Sequence, residues 1–281
     1  MTVQLTSSAA DTSGSSDLRD VLMRGTRPPR ANAFTVTMTF GWRALLKIKH
    51  GPMQLFDVTV FPLMLTLMFT YLLGGAIAGS TTVYLQDLLP GILVMAILMI
   101  TQYTGAALNS DRTKGVFDRF KTLAIWRPGS VIGAMLGDLV RYSIAGILVV
   151  LLGVALGFRP AGGVIGVALG LMVVLLFSFA ISWMWTAAAF VMPTPHSTMA
   201  AGAIIIFPLT FLSNIFADPK TMPGWLQAFI DVNPVTYVVS ATRNLMFDRP
   251  LGNDLLWVLV SSAVIVAIFG PLTMWLYKNK Q

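Results

Sequence analysis

The chain has 281 residues, of which 56% are hydrophobic and 11% charged, and it carries a formal charge of +7. A water-soluble protein of this length needs charged side chains over its whole exterior. Here they are missing from long stretches and gathered in a few short ones, which excludes a soluble enzyme and makes lipid the solvent for most of the surface.

Residues 1–33 hold Arg19, Arg24, Arg27 and Arg30 in a Ser- and Pro-rich setting with no apolar run. This predicts a disordered cytosolic tail and no cleavable signal. Residues 34–54 mix aromatics with Arg43, Lys47 and Lys49. The segment is too charged to span yet apolar enough to lie in the head-group plane, which predicts an interfacial amphipathic helix; a plain juxtamembrane linker is the alternative. The transmembrane domain is expected over 55–281. Its six apolar runs, about 58–78, 88–108, 131–157, 163–192, 198–216 and 255–276, are each long enough at ~1.5 Å per residue to cross roughly 30 Å of hydrocarbon. Pro62, Pro208 and Pro271 fall inside runs and predict kinks.

Two connections carry pattern of their own. In Asn109–Gly129, a capping residue among Asn109, Ser110 and Asp111 precedes Val116, Phe117, Phe120 and Leu123 at helical spacing, which predicts a short amphipathic cytosolic helix. Its apolar edge would rest on a soluble partner, on the protein's own helices or on lipid. Residues 218–254 are too polar to cross. The stripe of Trp225, Leu226, Phe229 and Ile230, and the helix-start pair Asn233–Pro234, predict two short extracellular helices that lie on the outer leaflet or dip into it.

Lys and Arg set the orientation. They crowd the N-terminal arm, the loop between spans two and three (Arg112, Lys114, Arg119, Lys121, Arg127) and the C-terminus (Lys278, Lys280), all on one side if the spans alternate. The other side has only Arg159, Lys220, Arg243 and Arg249. Both termini are therefore expected in the cytoplasm. The basic surplus belongs to loops against anionic lipid and not to a nucleic-acid interface.

Little acid–base or metal chemistry is available. Cysteine is absent, all 12 acids are Asp, and the only histidines are His50 and His196, so neither a catalytic residue nor a metal site is expected. No Gly is followed by Lys, which excludes a phosphate-cradling G-x-x-x-x-G-K-[ST] loop. Asp138 and Arg141, three apart near the cytoplasmic part of span three, share a helix face and are expected to form an intramembrane ion pair with a structural or gating role. For a flat aromatic ligand, Tyr103, Phe177, Trp183, Trp185 and Asn214 could line a path, although Trp and Tyr also collect at lipid interfaces and Phe on a span is commonly packing. Asn109 and Asn214 fall at span ends, where water would reach them.

The stretches KGVFDRFKTLAIWRPG, FGWRALLKIKH, LLPGILVM and FPLTFLSNIFADPKTMPGWLQAFIDVNPVTYVV together resemble, in order, the permease subunit of daunorubicin/doxorubicin-resistance exporters, within the ABC type-2 export permeases. The likeness runs from about Phe34 to the C-terminus. It implies an all-α integral membrane protein of the bacterial cell membrane with six transmembrane helices, an N-terminal interfacial helix, a cytosolic coupling helix and short extracellular helices before the last span. It further implies that Lys114, Gly115, Val116, Phe117, Asp118, Arg119 and Phe120 dock on a separate ATP-binding subunit, which would bind ATP and magnesium. A second copy of the chain would complete the exporter, with an amphipathic substrate such as an anthracycline moving between the copies. Export of a lipid or glycan by the same fold, and a non-transporting membrane anchor or immunity protein, are the alternatives.

Overall fold

The computed structural model describes residues 52–115, 128–217 and 219–279, preceded by Asn32, Thr35, residues 37–39, Gly41 and Trp42. The tail at 1–33, most of the interfacial segment at 34–54 and the stretch from Val116 to Phe120 therefore lie, wholly or nearly so, outside the described residues. Within the interfacial segment, Thr35, residues 37–39, Gly41 and Trp42 are helical.

From Pro52 onward the described residues form eight α-helices and no strand: α1 (Pro52–Ala78), α2 (Thr81–Thr113), α3 (Pro128–Ala155), α4 (Gly163–Val191), α5 (Pro195–Phe211), α6 (Gly224–Val232), α7 (Pro234–Met246) and α8 (Asp254–Asn279). Four of them, α2, α3, α4 and α8, are long and apolar enough to cross a bilayer. The 27-residue α1 and the 17-residue α5 accompany them.

Caps extend the helices beyond the apolar runs. Ser80 accepts a hydrogen bond from the Val83 N–H at 3.1 Å, so α2 begins ahead of the run at Leu88 and takes in Asp87. Thr194 and Ser197 form a reciprocal capping box at the start of α5, with Pro195 in the first turn, where its missing N–H costs nothing.

The arrangement is inside-out relative to a water-soluble bundle. The most enclosed helix is α2, which carries Thr101, Gln102, Thr104 and Asn109 into the interior, whereas most of α8 faces outward. Lipid is as apolar as leucine, so burying leucine gives little preference between the two, while polar groups gain partners only against other helices. α4 packs along α2 and α8, α1 and α3 flank α2, and α5 lies antiparallel to α2 with Gly202 against Gln102 and Thr198 against Gly105.

α5 stops well short of the Ser80 end of α2, because the chain beyond it still has to pass Ile215 at Gly91 and Phe216 at Tyr84. α6 leads back to Asn233, and α7 then runs along the first turns of α4. Gly162 and Gly166 meet the Leu245 carbonyl, and Gly170 meets Thr242 and Met246. Those glycines, four apart, form a groove with no side chains in which α7 sits backbone to backbone. Val235, Val238, Val239, Ala241 and Thr242 are wholly buried. The two short helices predicted from 218–254 are present, and of the two it is α7 that packs into the bundle, along the first turns of α4.

Candidate functional site

The Lys114 end of α2 is built in three steps. Lys114 closes the helix, its N–H donating to the Ser110 carbonyl at 3.1 Å, and the Gly115 N–H donates to the Arg112 carbonyl at 3.0 Å. Gly115 has φ +67°, a left-handed conformation that ends the helix and suits glycine. The first two residues of the expected docking segment are therefore the turn that leaves α2, and Val116, Phe117, Asp118, Arg119 and Phe120 follow outside the described residues. One turn back, Asn109 donates from Nδ2 to the carbonyls of Ala189 at 2.9 Å and Met192 at 2.8 Å. Arg112 adds a bond from Nη1 to Ala189 at 2.8 Å. The last carbonyls of α4 have no partner within their own helix and carry its partial negative charge; an amide and a guanidinium from α2 satisfy both needs. Asn109, expected within reach of water, is completely buried.

Deeper in the bundle a polar cluster joins three helices. Arg141 Nη2 lies 3.0 Å from Asp138 Oδ1 on α3, and both side chains are nearly enclosed. The guanidinium sits 5.9 Å from the Tyr103 ring centroid and 5.7 Å from that of Tyr142, which spreads part of its charge over two ring faces. Its Nε has no acceptor among the described residues. Tyr142, fully buried, shares hydrogen bonds with Thr104 of α2 and, at 3.1 Å, with Ser182 of α4. Sequence spacing pointed to Asp138 and Arg141 but not to Tyr142, whose partners are on other helices.

The aromatic candidates fall into different settings. Tyr103 is half-buried at the ion pair. Phe177 and Trp185 lie in the packed core between α2 and α4, where Trp185 Nε1 donates to Thr101 Oγ1 at 2.8 Å. Trp183 belongs to a second apolar cluster with Leu108, Met135 and Tyr277, edge-on to Phe179 at 6.4 Å. Phe177 and Trp185 are both fully buried. Asn214 is also buried, with Nδ2 donating to Ser240 Oγ at 2.8 Å.

At the opposite end stands Arg243 of α7, one of the few cations expected on the outer side. Its Nε and Nη2 donate to the Asp87 carbonyl at 3.1 and 2.8 Å, and Nη2 also reaches the Asn214 carbonyl at 3.2 Å. Tyr84 Oη donates to the Phe216 carbonyl at 2.9 Å. Asn233 accepts the Val235 N–H at 3.0 Å while Nδ2 donates to the carbonyls of Leu209 at 2.7 Å and Leu212 at 2.8 Å. One side chain thus caps the start of α7 and the end of α5. Apart from the local Asn233–Val235 cap, no sequence signal marks these bonds, because each other acceptor is a backbone carbonyl distant in the chain.

Comparison with known proteins agrees with this architecture. Residues 35–247 match the model of the ABC-2 type transporter family. The chain is 48% identical, over 95% of its length and 94% of the relative's, to the daunorubicin resistance ABC transporter permease protein DrrB1 of Streptomyces coeruleorubidus. It is 24% identical, over 80% of its length and 82% of the relative's, to the Probable doxorubicin resistance ABC transporter permease protein DrrC of Mycobacterium tuberculosis.

Proposed function

The chain belongs to the ABC-2 type transporter family, and from that premise we propose that it is the permease subunit of an ATP-driven exporter that moves an amphipathic, anthracycline-like antibiotic out of a bacterial cell. One observation carries the reading: identity of 48% along 95% of the chain to a permease whose name records daunorubicin resistance. Six helices, α1 to α5 and α8, cross the membrane, and both termini are cytoplasmic, in keeping with the distribution of Lys and Arg. The segment from Lys114 to Phe120 docks on a separate ATP-binding subunit that holds ATP and magnesium. Two copies of the permease enclose the path. Of the candidate rings Tyr103, Phe177, Trp183 and Trp185, Tyr103, half-buried beside the Asp138–Arg141 pair, is the one most open to a ligand. The work of this chain is mechanical, and the drug biases it only through unequal affinity for the inward- and outward-open states.

The test is ATP-dependent accumulation of daunorubicin in inverted vesicles holding the permease and its ATP-binding subunit. Phe117→Ala with Phe120→Ala is expected to abolish accumulation while the permease still inserts. Normal transport and normal co-purification of the ATP-binding subunit by that variant overturn the docking assignment. ATP hydrolysis without accumulation by the unaltered complex overturns the drug reading.

A further inference from the structure

On one helical stripe of α2, every turn from Thr101 to Arg112 is fastened to α4. Thr101 accepts the Trp185 indole N–H at 2.8 Å. A Cβ on Gly105 would stand 2.7 Å from the Trp185 carbonyl oxygen, so the two backbones touch there. Asn109 and Arg112 complete the stripe at Ala189 and Met192. α4 then passes into α5 through the short turn at residues 192–194, held by the Thr194–Ser197 capping box. The same end of α2 leads at once into the Lys114–Gly115 turn.

We propose that Asn109 and Arg112 are positioning residues that join the end of α2 to the end of α4, so that displacement of the segment after Lys114 is delivered to the α4–α5 turn and thereby to α5. This rests on the proposed function in one respect, that an ATP-binding subunit displaces that segment. Two features favour a load-carrying joint over a simple cap. The bonds converge on the carbonyl end of α4, where the axial dipole adds to the hydrogen bonds. They also come from both a completely buried amide and a partly exposed guanidinium, so the joint extends from the core to the surface on which the partner would act. Without it, α2 could swing at its tip while α4 and α5 stayed behind, and ATP would be spent without movement of the path.

The native chain has no cysteine, so spin labels at Lys114→Cys and His196→Cys, both exposed, are unique in the permease. The labelled chain is diluted with unlabelled permease, assembled with its ATP-binding subunit in lipid nanodiscs and measured with and without trapped ATP. The expected result is one Lys114–His196 distance distribution in both states. In Asn109→Ala with Arg112→Ala the distribution shifts when ATP is trapped, and drug-stimulated ATPase falls roughly tenfold relative to basal ATPase, the scale of a typical coupling energy. Arg112→Ala alone, in which Asn109 still satisfies the buried carbonyls, gives the same changes in smaller degree and serves if the double variant does not insert. Arg112→Lys restores the single-distribution behaviour.

A Lys114–His196 distance that already changes with ATP in the unaltered complex overturns the joint. So does a double variant whose distance and stimulation are unaltered. A complex that responds to ATP as expected but accumulates no anthracycline overturns the drug reading alone and supports the joint.

Discussion

Gly105 marks a close approach of α2 to α4, and the atoms facing it are poorly able to retreat. An added Cβ would meet the Trp185 carbonyl oxygen at 2.7 Å, the Trp185 Cβ at 2.9 Å and Thr198 Cγ2 at 3.0 Å. Gly105→Ala is expected to destabilise the fold by ~1–3 kcal/mol, the usual cost of overpacking, measured as a lower midpoint of thermal unfolding in detergent. An unchanged midpoint would contradict the contact. The ion pair makes a sharper comparison. Arg141→Met strands the Asp138 carboxylate away from water and should cost ~3–5 kcal/mol, while Asp138→Leu with Arg141→Met removes both charges and should recover most of the loss. Equal destabilisation by the single and double variants would show that the charges do not act as a pair. At this scale the sequence was readable only where partners are near in the chain. Asp138 and Arg141 are i and i+3, but Tyr142 finds Thr104 and Ser182 on other helices, and Asn109 finds carbonyls that no residue type announces.

At the scale of elements, local signals placed helix starts unevenly: Asn109, Ser110 and Asp111, expected to cap a following helix, belong to α2, which runs on to Thr113. Asn233–Pro234 was legible as the start of α7, and the structure confirms Asn233 as its cap. The second role of Asn233, closing the end of α5, depends on a tertiary meeting of two helix ends and could not be read. Asn233→Ala leaves the carbonyls of Leu209 and Leu212 without this donor and removes the α7 cap. Destabilisation of about 1–2 kcal/mol, with faster amide exchange confined first to α6 and α7, is expected by hydrogen exchange. The glycine groove gives an independent check on the same pair. Gly166→Leu would drive a side chain into the Leu245 carbonyl, so Val239→Cys, fully buried in the native packing, should react faster with a maleimide in that background.

For the whole molecule, the all-helical class followed from apolar run length, while the faces of the helices did not. α4 is apolar nearly all the way round, so no stripe distinguished Phe177 and Trp185, which are buried, from Met172 or Leu176, which face outward. Only polar residues inform on interior position in lipid, and they mark α2 as the enclosed helix. Sidedness is testable directly because the chain lacks cysteine. A membrane-impermeant maleimide applied to intact cells should label Lys220→Cys and spare Lys114→Cys. Labelling of both would overturn the six-crossing map and the place assigned to the ATP-binding subunit.

The double duty of Asn233 bears on how such a molecule changes shape. If α5 tilted independently, two carbonyls and an amide would be stripped of partners in a region where water is scarce, a penalty of several kcal/mol before any drug contact is gained. Moving the start of α7 together with α5 avoids that loss, and the far end of α7 is held as well, because the Gly162 N–H donates to the Met246 carbonyl at 2.8 Å. One amide thus ties any tilt of α5 to α7, and α7 in turn is tied to the loop ahead of α4.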